Sequence, residues 1–268
     1  MLLQWIHLIW HVVFYPIRAI QQWYLLKKVS SQPPPCHVGI IMDGNRRFAR
    51  SLGLDVKRGH NQGAEKAKEV LEWCLELKIK HVTVWGFSTD NSGRRPEEVA
   101  HLYQIFAKQA LMLAADPRIH QNKVRLRVIG DVSSFPQETR EALQVMQDAT
   151  ASHSNLFLNV ALGYGGREEI ISATKRLIQD LVEKGTDLKD MAHLVDGEGI
   201  RRHLYDPDLP DPDLIIRTSG EVRLSGFLLW QSPYTELYFC RSFWPCFTKT
   251  DFLQAIDSFQ RRGRRWGK

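Results

Sequence analysis

His37-Val38-Gly39-Ile40-Ile41-Met42-Asp43-Gly44-Asn45-Arg46-Arg47-Phe48-Ala49-Arg50 begins apolar and ends charged, with a glycine at the change. The run from His37 to Met42 does not alternate, as expected of a strand covered on both faces. Gly44 frees the backbone to turn. Downstream, the same grammar repeats. Apolar residues at Ala67, Val70, Leu71, Cys74 and Leu75 give helical spacing over Gly63 to Leu77, and His81 to Phe87 reads as a second strand. Pro96 to Leu113 is a long helix and Val124 to Ile129 a third strand. Ser134 with Gln137 resembles a capping box opening the next helix, with Pro136 in its first turn. Leu156 to Leu162 is a fourth strand, Arg167 to Glu183 a helix, Leu214 to Arg217 another strand, Phe227 to Leu229 a short further one, and Thr250 to Arg261 a closing helix. Apolar strands alternating with helices predict a single α/β domain, with a central, mainly parallel sheet flanked by helices.

Upstream, Ser30-Ser31-Gln32-Pro33-Pro34-Pro35 is a linker, because proline cannot continue a helix. This divides the chain into residues 1–29, a linker over 30–36 and a globular domain over 37–268. Residues 1 to 26 are rich in Trp, Leu, Ile and Val, followed by Lys27 and Lys28. On a helical projection Gln4, His7, His11, Arg18, Gln21 and Gln22 share roughly a third of the circumference, while Trp5, Ile6, Ile9 and Val13 point elsewhere. Pro16 and the recurring polar residues disfavour a membrane span, and no basic leader or small-residue cleavage site suggests secretion. The expectation is an amphipathic helix lying on a bilayer; packing against the protein's own core is the alternative.

The 268 residues carry a formal charge of +6, which attracts anions without choosing between nucleic acid, acidic lipid and phosphate esters. No helix-turn-helix, zinc or RNA-binding signature supports nucleic acid. Cys36, Cys74, Cys240 and Cys246 lack paired metal spacing and are too few for a disulfide scaffold. They read as reduced thiols of a cytoplasmic protein.

Parallel sheets bind ligands beyond the carboxyl ends of their strands. Those ends are Met42-Asp43, Phe87-Ser88, Gly130-Asp131 and Arg217-Thr218, and three of the four carry chemically useful clusters. In the first, Gly44 allows close backbone approach, the turn presents free N–H groups, and Arg47 offers a fork suited to phosphate oxygens. Asp43 would repel a bare diphosphate, so its presence in an anion site suggests a bridging magnesium ion; the alternative is a simple helix cap. The second is the turn-prone loop Phe87 to Pro96. The third runs from Arg217 to Ser225, where Arg217 and Arg223 flank a small-residue turn as a diphosphate clamp. Glu236 follows as a second metal ligand or as an arginine's partner.

Taken together, these clusters resemble the signatures of the cis-prenyltransferases, the family of undecaprenyl and dehydrodolichyl diphosphate synthases. The matching stretches are His37 to Arg47, Gly59-His60, Phe87-Ser88 through Asn91 and Arg95, Gly163-Tyr164-Gly165-Gly166-Arg167, and Asp213 to Arg223. Phe227 to Gln231, Glu236-Leu237-Tyr238 and Arg264-Arg265-Trp266-Gly267 complete them. The resemblance implies condensation of isopentenyl diphosphate with an allylic diphosphate, farnesyl or geranylgeranyl diphosphate, to a Z-polyprenyl diphosphate. It implies Mg2+ held by Asp43 and Glu236, and an allylic diphosphate held by Gly44, Asn45, Arg46, Arg47, Phe48 and His60. Ser88, Thr89, Asp90, Asn91, Ser92, Arg94 and Arg95 would form the catalytic loop, with Asn91 assisting proton removal. Arg217, Arg223, Leu224 and Ser225 would take isopentenyl diphosphate. Arg265 and Gly267 would reach a partner subunit's site, which implies a homodimer.

The sequence departs from the family pattern in places. Arg46 stands for a frequent glycine, Phe48 for a frequent tryptophan, and Val56 where an arginine is common. Ser92-Gly93 replaces an aromatic-containing segment in a loop one residue longer, leaving Arg94 and Arg95 as rivals for one role. A long product needs an apolar tunnel, for which Leu102, Ile105, Phe106 and Leu113 on the 96–113 helix and the strand Leu156–Leu162 are candidate walls. Small Gly86 favours a medium or long product. The rivals are a short-chain Z-prenyl diphosphate synthase, a non-catalytic partner subunit, which Asp43 argues against, and a helical trans-prenyltransferase. Prolines break Asp206 to Asp213, the only aspartate-rich stretch the last could use.

Overall fold

The computed structural model describes residues 15–262. Helix α1 spans Tyr15–Ser30, β1 His37–Ile41, α2 Asn45–Ser51, α3 Val56–Glu76, β2 His81–Ser88, and a short 3-10 turn Thr89–Gly93. Then come α4 Pro96–Ala115, α5 Pro117–Gln121, β3 Val124–Ile129, α6 Gln137–Ala149, β4 Leu156–Tyr164 and α7 Gly166–Glu183. Short helices α8 Leu188–Leu194 and α9 Gly197–Arg202 precede β5 Leu214–Arg217, β6 Glu236–Phe239, a 3-10 turn Trp244–Cys246 and α10 Lys249–Arg261.

All six strands are parallel, in the order β3-β4-β2-β1-β5-β6. β1 and its neighbours are apolar because helices cover both faces of the sheet. Val38 and Ile40 join the larger core with Val70, Leu102, Leu143 and Ile256 from α3, α4, α6 and α10. Ile41 and Ile215 join a smaller one with Tyr164, Phe227 and Leu228. The exposed edge of β3 is closed by side chains: Leu126 N–H donates to Thr150 Oγ1 (3.0 Å) and Val128 N–H to Gln147 Oε1 (3.0 Å), which blocks pairing with another strand.

Two local expectations fail. Residues 227–229 form turns, not a strand, because Gly226 (φ 93°) and Leu228 (φ 47°) are left-handed and Phe227 N–H bonds back to Leu224 O. The added strand lies instead at Glu236–Phe239, pairing with β5. Helix α6 begins at Gln137 behind Pro136 with no side-chain cap, so Ser134 does not build a capping box.

Helix α1 is attached along one side. Val29 is buried, Leu25 and Leu26 pack on the core, Lys28 pairs with Asp257 at 2.7 Å, and Gln260 Nε2 donates to Val29 O and Pro33 O. Ile20, Trp23 and Tyr24 stay exposed on its other side, at 65%, 61% and 61%. Among the described residues no helix is long and apolar enough to cross a membrane.

Candidate active site

The carboxyl ends of β2, β1 and β5 lie side by side at the centre of the sheet, and a cleft of ≈ 480 Å³ opens above them. Ile41 pairs with Trp85 and with Arg217 in its two neighbours, so the chain leaving β1 delivers Asp43 beside Arg217. The Asp43 carbonyl is held by Trp244 N–H (3.0 Å) and Thr218 Oγ1–H (2.7 Å). Gly44 follows at φ 110°, with the Phe243 ring where a Cβ would stand (2.9 Å), so both backbone and space demand glycine. Helix α2 then lies close on α3, because Gly59 faces the Asn45 carbonyl with no room for a side chain.

Two cationic clusters face the cleft, each built on a carboxylate. In the first, Asp43 Oδ2 accepts from Arg217 Nη2 (3.0 Å) and Arg47 Nη2 (3.2 Å). Arg217 also donates to Arg223 O (2.5 Å) and Ser225 Oγ (2.8 Å). Glu221 bridges Arg47 Nη1 (2.9 Å) and Arg223 Nη1 (2.5 Å). In the second, Glu98 Oε1 takes His60 Nε2 (3.1 Å) and Arg94 Nη1 (3.2 Å), with Arg46 Nε 3.6 Å away.

Burial opposes ionisation of Asp43, but hydrogen bonds from Arg217 and Ser219 and the Arg47 charge hold its carboxyl below the usual range. Burial likewise opposes ionisation of Glu98, and its bond from His60 with the charges of Arg46 and Arg94 outweighs it. Burial pulls the His60 pKa below its ordinary value, so at neutral pH the ring is an uncharged donor to Glu98. Buried Asn45 Oδ1, Arg46 Nε and Arg217 Nε make no hydrogen bond among the described residues. Such atoms are costly to leave unpaired unless a ligand completes them.

Of the residues expected at the site, Asp43, Gly44, Asn45, Arg46, Arg47, His60, Ser88, Asp90, Asn91, Arg94, Arg217 and Ser225 line this cleft. Asn91 Oδ1 accepts from Ser88 N–H (3.2 Å), which fixes the loop. Arg94 points in, whereas Arg95 is exposed and outside the lining. Thr89, Ser92 and Leu224 are not in the lining, and Arg223 stands at the rim with its side chain 61% exposed. Phe48 lies on a neighbouring cleft with Ile105 and Pro245. Glu236 is not brought to Asp43 within the chain. It begins β6 opposite Leu214, at the amino end of the sheet, and pairs with Arg262 at 2.6 Å. Arg265 and Gly267 lie outside the described residues. Sequence reading missed Glu98 and the positioning group Trp244, and gave no role of their own to Arg50, Thr218 and Glu221, which lie within the clusters it singled out. Glu98 was hidden as a first-turn acid of α4, an ordinary feature of helices.

As to a metal, both arginine contacts of Asp43 fall on Oδ2, so neither uses its other oxygen. No group of three ligating side chains exists among the described residues. One ionised carboxylate in a cationic cleft suits a small hard cation that shares its remaining ligands with phosphate oxygens and water.

Residues 41–267 match the family model described as "Putative undecaprenyl diphosphate synthase". The chain belongs to this family of cis-prenyltransferases. An isoprenyl transferase of Thermus thermophilus is 52% identical over 253 residues, covering 94% of this chain and 96% of that one. A "Tritrans,polycis-undecaprenyl-diphosphate synthase (geranylgeranyl-diphosphate specific)" of Thermoplasma volcanium is 48% identical over 244 residues, covering 91% and 93%. The crystal structure of lavandulyl diphosphate synthase from Lavandula x intermedia in complex with dimethylallyl diphosphate superposes with a TM-score of 0.79 at 33% identity, covering 90% of this chain and all of that one. The protein is therefore a prenyltransferase, the family implies isopentenyl and allylic diphosphates as substrates, and the non-catalytic alternative finds no support.

Proposed function

We propose that the enzyme extends farnesyl or geranylgeranyl diphosphate with isopentenyl units to a medium- or long-chain Z-polyprenyl diphosphate. The observation that carries this reading is the pair of cationic clusters, on Asp43 and on Glu98, facing one cleft whose floor is apolar at Ala64, Ala67, Leu102, Ile105 and Phe106. Two clusters suit two diphosphates, and the floor suits a hydrocarbon tail. Arg46, Arg94, His60 and the α2 N-terminus hold the allylic diphosphate; Arg217, Arg223 and Ser225 hold isopentenyl diphosphate.

In each cycle the allylic C–O bond breaks and its electron pair leaves with diphosphate. A C–C bond forms to the isopentenyl double bond, and the adduct loses a proton beside Ser88 and Asn91. The arginines stabilise the charge growing on the departing diphosphate, and binding both substrates in one cleft replaces a bimolecular encounter. Mg2+ held by Asp43 and diphosphate oxygens would neutralise leaving-group charge. The geranylgeranyl specificity in the Thermoplasma relative's name favours geranylgeranyl over farnesyl diphosphate as primer. The test is incorporation of labelled isopentenyl diphosphate with each primer, with and without magnesium. Incorporation that needs neither primer nor metal would contradict the reading.

A homodimer is supported by β6, a half-exposed edge strand, with Tyr234 (84% exposed) just before it and Val222 (72%) on the Arg217–Ser225 loop. Sedimentation of the full chain as a monomer would refute it. Attachment of α1 to an anionic bilayer is supported by Ile20, Trp23 and Tyr24 on one exposed side, with Lys27 Nζ 5.4 Å from the Trp23 ring. Aromatic rings beside lysine suit the headgroup region. The Trp23→Ala/Tyr24→Ala variant should pellet several-fold less with anionic vesicles while keeping its activity in detergent, and unchanged pelleting would remove α1 from membrane contact.

A further inference from the structure

Strand β2 is irregular at its functional end. Along β4, Trp85 pairs with Ala161, Phe87 with Leu162 and Ser88 with Tyr164. Gly86 is therefore an extra residue on β2, and Gly163 (φ 57°) an extra one on β4 that restores the register. Residues two apart on a regular strand face the same side, and a bulge between them re-aims one. Phe87 accordingly packs into the larger core, and Trp85 against the smaller one on the opposite face of the sheet. Both line the cleft, so an aromatic ring stands on each side of the strand end.

The same division runs through the cations. Trp85, Ile41 and Arg217 are paired across β2, β1 and β5, and laterally paired residues share a face. Arg217 belongs to the Trp85 side, two strand spacings or about 10 Å along this row. His60 and Glu98 stand on α3 and α4, which cover the Phe87 side. The Trp85 ring is fixed in place. It stacks on Phe227 (centroids 5.2 Å apart, 15° between planes), meets Tyr164 edge-on at 6.3 Å, and its Nε1–H donates to Tyr164 O (3.3 Å). Phe227 and Tyr164 are fully buried. Phe227 follows two residues after Ser225, whose Oγ accepts from Arg217. The loop that carries the cationic clamp thus runs directly into the ring that backs Trp85.

We infer that Trp85 determines specificity for the isopentenyl substrate, its ring closing the Arg217 side of the cleft to a donor bulkier than five carbons. With its diphosphate at Arg217, the donor tail lies over Ile41 and ends against the indole, while the allylic primer keeps to the Phe87 side. An indole held by two buried rings and a hydrogen bond does not turn aside for a larger group, so the limit is steric. The inference rests on the assignment of isopentenyl diphosphate to Arg217, Arg223 and Ser225 proposed above.

The test is steady-state kinetics with geranylgeranyl diphosphate as primer and two donors, isopentenyl diphosphate and its homologue 3-ethylbut-3-enyl diphosphate. Wild type should favour the natural donor by at least about tenfold in kcat/KM, the scale of one misplaced methylene in a close-fitting apolar pocket. Trp85→Leu should narrow that ratio several-fold and raise the KM of isopentenyl diphosphate, with the KM of the primer unchanged. Trp85→Phe, which keeps a ring against Phe227, should narrow it less, and carries the comparison should the leucine variant lose its circular dichroism. A merely structural role would lower turnover of both donors alike. Wild type that takes both donors equally, variants with an unaltered ratio, or an equal rise in donor and primer KM would each overturn the inference. If instead Arg217→Ala raises the KM of the primer and not of the donor, the substrate assignment fails, so the two failures are separable.

Discussion

The two halves of the one sheet treat buried polar groups in opposite ways. Toward the amino ends, Asn159 Nδ2–H donates to Thr83 Oγ1 (3.3 Å), Thr83 O–H donates to His37 Nε2 (2.8 Å), and His37 Nδ1–H donates to Pro210 O (2.6 Å). The tautomer follows from the partners, since a carbonyl can only accept. His37 N–H adds a bond to Asp213, and Asn159 Oδ1 alone is left over. Toward the carboxyl ends, arginines share carboxylates, and Asn45 Oδ1, Arg46 Nε and Arg217 Nε are unmatched. A nearly closed network contributes to stability; an open one holds its groups ready for a ligand. The same strands therefore separate folding from chemistry along their length.

Asp43→Ala is the sharpest way to break this contrast. Its backbone stays held by Trp244 and Thr218, so circular dichroism should be preserved. Turnover should fall by about 10³-fold or more, the scale of losing a group that organises transition-state charge. Near-normal turnover would show that the open end is not where the reaction occurs.

Acidification should also strike the closed network, through His37. Burial lowers the His37 pKa from 6.5 to about 4. The folded state thus keeps the ring neutral where the unfolded chain would protonate it. Stability is whole above pH 6.5 and is lost as pH falls toward 4, by about 3 kcal/mol in all. Asp43, with its pKa depressed, remains ionised through that window. Urea unfolding across it should show the slope in wild type and a flatter one in His37→Gln; equal slopes would clear His37 of the effect.

How much of this the sequence disclosed depends on local pattern. β1, β2, β4 and β5 were legible as largely apolar runs, because both faces of the central sheet are covered, and edge strand β3 as Val124, Leu126 and Val128 alternating with Arg125 and Arg127. β6 was not: its four residues are all half-exposed, and an edge strand with no fully buried face leaves no run to read. The stretch 227–229 misled for the opposite reason, being apolar, with Phe227 and Leu228 fully buried, yet bent by left-handed Gly226 and Leu228. The strand-end rule found Asp43, Ser88 and Arg217, since β1, β2 and β5 are neighbours. It could not show that Asp131, at the end of edge strand β3, stands apart from them and serves Ser133 N–H instead. Nor does spacing reveal that Glu236 sits at the far end of its strand. Position along a strand needs its register, which only the paired structure supplies.

The Arg94-Arg95 pair sharpens the comparison at its finest grain, because two identical neighbours differ only in where they point. Arg94 lines the cleft and bonds Glu98 at 3.2 Å, while Arg95 is exposed before Pro96. A charge-assisted contact to diphosphate is worth about 1.5–3 kcal/mol, so Arg94→Ala should lower kcat/KM by about 10- to 100-fold. The loss should appear chiefly in the KM of the allylic substrate, since Arg94 shares the Glu98 cluster with His60 and Arg46. Arg95→Ala should stay within about twofold, as an exposed charge facing water contributes little. Equal losses in steady-state kinetics would mean that the loop closes over bound substrate and brings both guanidinium groups in. The open end of the sheet would then include a moving part, and its unmatched polar atoms would be completed by protein as well as by ligand.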